Sequence, residues 1–214
     1  MKRIITIQHP QSEQHINHMI GSWANWDLTE KGVIQAHRIG KHLATEIGDE
    51  KYGLYSSDLL RTRHTAEIIS GYLNVMPVYN SLLREFDLGE AVGQSKKWAK
   101  ENLTCPVWAD TIDWAKTSDG CVFHGAESRR DVWNRVSEFC QTVIVPSKEN
   151  LIIISHSGTL SIFFAVWLGV ELDLLNRTNI VGASGEVSFL YEDDDGRHTI
   201  SKLSDMSYIQ ENEE

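Results

Sequence analysis

The apolar positions of this chain follow two different periods, and together they predict alternating strands and helices. Short runs rich in isoleucine predict buried strands at residues 4–7 and 151–154. After Thr29, a plausible N-cap, apolar or small residues recur every three or four positions through Ile47, which predicts a helix with one buried face. Further elements follow the same logic: a strand at 53–56, helices at 59–73, 128–145 and after 156 through Trp167, and a terminal hairpin of 187–191 with 198–203.

This alternation predicts an α/β fold, a three-layer α/β/α domain with a mainly parallel central sheet. The length of 214 residues suits a single domain spanning 1–214. Short extended pieces are expected around Val78 and at 82–83, and residues from about 89 to 125 read as an irregular insert.

Composition and charge limit the partners and the cellular compartment that we expect for this chain. The formal net charge of −10 argues against nucleic acid and anionic membranes as partners, so an anionic substrate requires a local cluster of cations. The three cysteines form no C-x-x-C pair, which argues against a disulfide framework and favours a reducing cytoplasm. No apolar stretch is long enough to span a membrane, and the run after Arg3 is too short for a signal peptide. A homodimer is allowed but not demanded.

Two histidines lie where predicted strands end, His9 before a proline and His156 before Ser157 and a glycine. Ligands of open α/β sheets bind beyond the carboxyl ends of the strands, so these imidazoles are candidates for one shared site. Between them, Arg61 begins a predicted helix, where an anion is favoured, and Glu85 follows a predicted strand end, where it could act as acid and base. Taken alone, Arg61 and Glu85 also fit a solvated surface ion pair.

The sequence, with these residues in this order, resembles the histidine phosphatase superfamily, also called phosphoglycerate mutase-like, and the resemblance covers nearly the whole chain. Six blocks carry the resemblance: Gln8-His9-Pro10 with Ser12, 28–32 with Gln35-Ala36, 56–66, 83–89, 125–128 with Arg135, and Ser155-His156-Ser157-Gly158.

The resemblance implies a phosphoglycerate mutase-like fold and a phosphomonoesterase that hydrolyses small phosphorylated metabolites through a phosphohistidine. It assigns His9 as the nucleophile, Glu85 as the acid/base, and Arg61 and His156 as catalytic groups holding the phosphoryl oxygens. Gln8, Ser12 and Ser157 are the expected substrate-binding residues. This scheme requires no cofactor and no metal.

The chain departs from the family pattern around its nucleophile. Gln8 and Pro10 stand where the family normally has arginine and glycine. An amide cannot replace a bidentate guanidinium, and one lost transition-state donor costs a factor on the order of 10² to 10³ in rate. Another cation is needed; the candidates are His15, Arg84 and Arg129.

Other functions stay open at this point. A phosphoglycerate mutase-type transfer is one, although the stretch between Glu85 and His156 is short for a mutase and the tail is short and acidic. A catalytically weakened phospho-ligand binder is another, since Gln8 replaces the usual arginine. A metal-dependent hydrolase is suggested by the proximity of His9, His15 and His18, but no H-E-x-x-H spacing is present.

Three tryptophans of the irregular insert, Trp98, Trp108 and Trp114, have two interpretations. They form an apolar wall for a bulky or uncharged leaving group, or they pack the core of the insert.

Overall fold

The computed structural model describes residues 1–108 and 115–210, so the prediction for Trp114 lies outside the described residues. Within them, six strands form one sheet in the order β3-β2-β4-β1-β5-β6. The strands are β1 Lys2–Gln8, β2 Tyr52–Ser56, β3 Pro77–Tyr79, β4 Asn150–Ser155, β5 Val187–Glu192 and β6 His198–Asp205.

The sheet is mainly parallel, as predicted. Strand β4 pairs in parallel with both β1 and β2, and β2 pairs in parallel with β3, whereas β5 and β6 add the predicted antiparallel hairpin. The register aligns Gln8 with Ser155. Because the next residues are His9 and His156, the two histidines leave the sheet side by side at the carboxyl ends of adjacent strands.

Helices cover both faces of the sheet, so the three-layer α/β/α prediction is confirmed. The helices are α1 Glu13–Ile16, α2 Glu30–Ile47, α3 Leu60–Leu73, α4 Lys96–Glu101, α5 Arg129–Phe139 and α6 Ser157–Trp167. Side chains of β1 alternate between two cores, with Ile4 packed among residues of α5 and α6, and Ile5 packed among residues of α2 and α3.

Local capping explains where the main helices begin. The Thr29 hydroxyl accepts a hydrogen bond from the Gly32 N–H (3.1 Å), which confirms Thr29 as the N-cap of α2. Ser128 caps α5 in the same way through the N–H of Asp131. A π-helical segment, Cys140–Ile144, continues α5, so the helix predicted through residue 145 is present.

Two local predictions were wrong. Residues 82–83 are not extended: Ser81–Leu83 is a 3₁₀ turn, because the Asn80 side chain accepts from the Leu82 N–H. Glu85 therefore follows a turn and not a strand. The insert is also less irregular than expected, since it contains the 3₁₀ turn Gly89–Ala91 and helix α4, which Ser95 caps.

Gly89 explains how the start of this insert packs. Its φ is +54°, and a Cβ there would collide with the backbone of His124 and Ala126, so only glycine fits. In the described part of the chain, no helix is long and apolar enough to cross a membrane.

Candidate active site

His9 is fixed in a single neutral tautomer. Its ring is 3% exposed, and Nδ1 lies 2.8 Å from the carbonyl oxygen of Pro10. Because a carbonyl only accepts, Nδ1 carries the proton and donates it. The other nitrogen, Nε2, accepts a hydrogen bond from Nε of Arg61 at 3.2 Å. Burial, followed by the charges of Arg61 and His15, holds the pKa of His9 well below its usual value. His9 is therefore neutral, and its Nε2 lone pair is occupied by the Arg61 N–H, which has to move before Nε2 can attack an electrophile.

Arg61 projects from the first turn of α3 and is 1% exposed. Besides its contact with His9, it donates to the carbonyl oxygens of Ser22 (2.8 Å) and Ala24 (3.2 Å). Burial lowers its pKa to about 10, with Glu85 acting in the opposite direction, so Arg61 stays charged at neutral pH. A guanidinium has five N–H groups, and these three contacts leave two of them for an anion.

His156 meets His9 edge to face, with ring centroids 5.1 Å apart, and is completely buried. Its Nε2 lies 2.9 Å from the hydroxyl of Ser57, which itself accepts from the N–H of Leu59. We assign the Ser57 hydroxyl as the donor to His156 Nε2, which places the proton of His156 on Nδ1. This Nδ1 is buried and has no hydrogen-bond partner among the described residues.

An unpaired buried donor of this kind costs about 1–3 kcal/mol, and an anion would relieve that cost. In the free site the pKa of His156 lies well below its usual value, first because of burial and then because of Arg61, His9 and Arg135. His156 therefore meets a ligand as a neutral donor, and its conversion to a cation requires the charge of a bound phosphate.

The carboxylate of Glu85 lies against the start of α6. It accepts hydrogen bonds from the backbone N–H groups of Gly158 (3.2 Å) and Thr159 (3.1 Å) and from the Thr159 hydroxyl (3.2 Å). These contacts place the carboxyl group at the N-terminal end of α6. Gly158 permits this approach, because a Cβ at that position would come within 2.8 Å of a Glu85 oxygen.

The backbone of Glu85 is held just as firmly. Its carbonyl oxygen accepts from the indole N–H of Trp23 (2.7 Å) and from Arg135 (3.1 Å). Arg135 is anchored in turn by a partly buried ion pair with Glu127, N–O 2.9 Å. Sequence reasoning placed Arg135 in a motif block without a role, and it missed Trp23 and Ser57. Ser57 could have been found, because it follows the end of β2 at the same edge of the sheet as the two histidines.

The predicted residues converge on one cavity of about 510 Å³. Five of the predicted site residues line it: Gln8, His9, Arg61, Glu85 and Ser157. His156 lies behind His9 and does not line the cavity itself. Ser12 does not line it either: it is fully buried, and its backbone N–H donates to Nδ1 of His15 (3.0 Å).

Of the three cations considered as replacements for the missing arginine, only His15 reaches this cavity. Its ring stacks on His9, with centroids 5.6 Å apart, and its Nδ1 accepts from Ser12, so neutral His15 carries its proton on Nε2. Partial burial, then Arg61 and Lys96, lower the pKa of His15 to about 4. His15 is thus a neutral donor near pH 7.

The other two candidates are engaged elsewhere. Arg84 forms a two-pronged ion pair with Asp58 (2.6 and 2.7 Å) and lies over the ring of Trp23. Arg129 lines a neighbouring cavity. Two lysines that the sequence did not single out, Lys96 and Lys100 of α4, line the mouth of the catalytic cavity.

The described tryptophans of the insert divide between the two interpretations. Trp98 packs against Phe123, ring centroids 6.2 Å apart, at the edge of the core. Trp108 is 43% exposed and lines the neighbouring cavity. His9, His15 and His18 belong to no metal-binding arrangement: within 1–108 and 115–210, no three His, Cys, Asp or Glu side chains are grouped to hold an ion.

Comparison with known proteins identifies similar sequences and folds. The sequence model of the histidine phosphatase superfamily (branch 1) matches residues 4–205. The chain is 28% identical over 189 residues to a 2,3-bisphosphoglycerate-dependent phosphoglycerate mutase of Rhizobium johnstonii, covering 83% of this chain and 82% of the relative.

Two solved structures share the fold. Bacillus stearothermophilus YhfR superposes with a TM-score of 0.81 at 23% identity, covering 98% of this chain and 100% of that one. A mycobacterial glucosyl-3-phosphoglycerate phosphatase, solved with VO3, superposes with a TM-score of 0.79 at 18% identity, covering 95% and 99%.

Proposed function

The chain belongs to the histidine phosphatase superfamily, and on that premise we propose that it hydrolyses small phosphomonoesters through a phosphohistidine on His9. The observation that carries the proposal is the hydrogen bonding of the His9 ring. Nδ1–H is committed to the Pro10 carbonyl, and Nε2 offers its lone pair beside a buried guanidinium. A neutral, oriented imidazole is the form that attacks phosphorus.

In the first step, Nε2 of His9 attacks the phosphorus atom in line, and the bond between phosphorus and the ester oxygen breaks. Glu85, which must be protonated at the start of this step, is the group we assign to give its proton to the departing alkoxide, and it becomes a carboxylate. In the second step, Glu85 takes a proton from a water molecule, the water oxygen attacks the phosphohistidine, and inorganic phosphate leaves with the P–N bond broken.

The phosphoryl oxygens are bound, in this proposal, by donors that the free site leaves unused. They are the two remaining N–H groups of Arg61, the Nδ1–H of His156 and the Nε2–H of His15. Gln8 and Ser157 complete the set we assign to substrate binding. Neutral donors thus stand where the family pattern has a second guanidinium, and we expect slower turnover for that reason.

A mutase-type transfer is the second candidate. Two observations favour it: the phosphoglycerate mutase relative, and Lys96 and Lys100 at the cavity mouth, whose side chains have no hydrogen bond or ion pair with any described residue. Unpaired lysines in a chain of net charge −10 suit a substrate with a second anionic group. The product separates the two: hydrolysis releases phosphate, whereas a mutase returns the phosphoryl group to an organic acceptor.

The test is phosphate release from an aryl phosphate with a chelator present. Wild type is compared with His9→Ala and, as a matched control, His37→Ala, which removes an exposed histidine on α2. The proposal expects turnover by wild type and the control, and none by His9→Ala. If phosphate analogues raise the melting temperature but no monoester or acceptor is turned over, the chain is a phospho-ligand binder.

A further inference from the structure

A second cavity of about 260 Å³ adjoins the catalytic one. Its surface is mostly apolar and includes Trp108, Ile162 and Leu175, but five of the eight described lining residues are polar or charged: Arg129, Ser161, Arg177, Thr178 and Asn179. Ser161 and Asn179 line both cavities, so the two spaces meet at this pair. The Ser161 hydroxyl donates to the Asn179 side chain at 3.0 Å, which ties the common wall together.

Helix α6 runs past both cavities, so its rise per residue gives the distance between them. Ser157, at its first position, lines the catalytic cavity beside His156, and Ser161, one turn later, is the first residue to line the second cavity as well. A helix rises about 1.5 Å per residue, so the second cavity begins about 6 Å along the helix from Ser157. A ligand whose phosphate lies at His9 would reach it with its alcohol portion.

The walls of the second cavity are suited to a flat ring. Trp108 is half-exposed, and Lys116 lies 5.2 Å from its ring centroid, over one face. The guanidinium of Arg129 is buried and donates to the Asn176 side chain (2.7 Å) and to the carbonyl of Ala115 (3.2 Å). Indole and guanidinium planes both stack on aromatic ligands.

The volume is sufficient for such a ring. An apolar protein cavity of about 150 Å³ already binds benzene, and this one is larger and has Ile162 and Leu175 in its lining. A short, fully polar alcohol would leave this apolar surface in contact with water and would gain nothing from it.

We propose that the second cavity, here called the leaving-group cavity, binds the alcohol portion of the substrate, and that this portion carries a planar ring system. This inference rests on the proposed function, because it assigns the substrate class of the same site. Trp108, Ile162 and Leu175 contribute apolar contact, and Asn179 and Ser161 mark the passage from the phosphate to the ring.

The test uses phenyl phosphate and 4-biphenylyl phosphate, whose leaving groups have similar acidity and differ in length. Wild type should prefer the biphenylyl ester in kcat/KM by about tenfold or more, the scale of one added apolar group in a pocket. Thr178→Trp places an indole at the rim of the leaving-group cavity and should abolish the preference without slowing phenyl phosphate.

Thr142→Trp is the matched control. Both threonines are exposed and donate their hydroxyls to the carbonyl four residues earlier, but Thr142 lies away from either cavity. The control should keep the preference, and equal melting temperatures would show that both variants fold. No preference in wild type, or an equal loss for both esters in Thr178→Trp, overturns the proposal.

Calorimetry with 4-phenylphenol, the alcohol alone, separates this proposal from the proposed function. Binding by wild type and Thr142→Trp that is lost in Thr178→Trp supports the leaving-group cavity even if neither ester is hydrolysed, and in that case the hydrolytic function fails. Hydrolysis of both esters without any binding of the alcohol overturns the cavity proposal and leaves the function standing.

Discussion

The Nε of Arg61 lies 3.2 Å from the Nε2 of His9 and donates a hydrogen bond to the lone pair that would attack phosphorus. This contact has two consequences. The adjacent positive charge helps to keep His9 neutral, and the guanidinium already lies where the negative charge of a phosphoryl group would arrive. Binding an anion would draw Arg61 toward the phosphate and free the nucleophile.

Gln8 stands where the family normally has an arginine, so replacing Gln8 with arginine should accelerate turnover. We expect Gln8→Arg to raise kcat/KM for small phosphomonoesters, by a factor of up to about 10², because a charged donor is added beside the transferring group. The variant should melt at a lower temperature without ligand, since Gln8 is 5% exposed and the new charge would lie near Arg61. Gln8→Met is the control, and unchanged kinetics in Gln8→Arg would show that Gln8 does not face the phosphate.

Glu85→Gln should separate good leaving groups from poor ones. Without a proton donor, hydrolysis of an alkyl phosphate should slow by about 10² to 10⁴, whereas release of 4-nitrophenolate, which leaves without a proton, should slow much less. The amide oxygen can replace Oε1 and accept from the Thr159 N–H, but the NH2 group then faces the N–H of Gly158, so the fold should be kept with some loss of stability. Steady-state kinetics with both substrates decide this, and an equal loss for both would argue against Glu85 as the acid.

Gly158 and Gly71 form a matched pair of helical glycines. At Gly158, a Cβ would meet the Phe86 ring at 2.5 Å and the Glu85 carboxylate at 2.8 Å, whereas at Gly71 in α3 it would meet nothing within 4 Å. We expect Gly158→Ala to destabilise by about 1–3 kcal/mol and to lower kcat through displacement of Glu85. Gly71→Ala should stabilise by about 0.4–1 kcal/mol with kcat unchanged. Denaturant unfolding and kcat test the pair; similar effects at both positions would contradict the packing described.

The free energy of unfolding should decrease as the pH is lowered below 6.5. The pKa values of buried His9 and His156 lie well below the unfolded value near 6.5, so below that pH the unfolded chain binds protons that the folded chain does not. Each histidine then removes up to about 1.4 kcal/mol per pH unit from the free energy of unfolding. Denaturant unfolding between pH 6.5 and 5 should show a shallower slope for His156→Gln than for wild type; parallel curves would contradict the lowered pKa.

The sequence predicted the layers and the position of His9 and His156 at the ends of two strands. It did so because β1 and β4 are apolar runs that end at polar residues and because α2 repeats its apolar positions regularly. The family resemblance drawn from six short blocks is confirmed by the match over residues 4–205. Both predictions, of the layers and of the family, rest on short stretches of sequence whose local preference agrees with the final fold.

Local patterns failed where distant contacts decide the conformation. Leu82 and Leu83 are a separate case: they read as a strand, but the side chain of Asn80, only two residues away, caps a 3₁₀ turn there. Nothing near Glu85 in sequence indicates that Trp23 and Arg135 hold its carbonyl, since these residues lie 62 and 50 positions away. The sequence also could not show which of His15, Arg84 and Arg129 lies in the site. Arg84 is held away by its ion pair with Asp58, which lies 26 positions away in the sequence.

The proposed mechanism requires that His9 becomes phosphorylated during turnover. The most direct measurement mixes the protein with a phosphorus-labelled aryl phosphate, quenches within one turnover and locates the label by peptide mass analysis. We predict an acid-labile phosphoryl group on the peptide that carries His9, absent in His9→Ala and accumulating in Glu85→Gln, where the water-activating base is missing. Hydrolysis that proceeds without this label, or that persists in His9→Ala, would contradict the account.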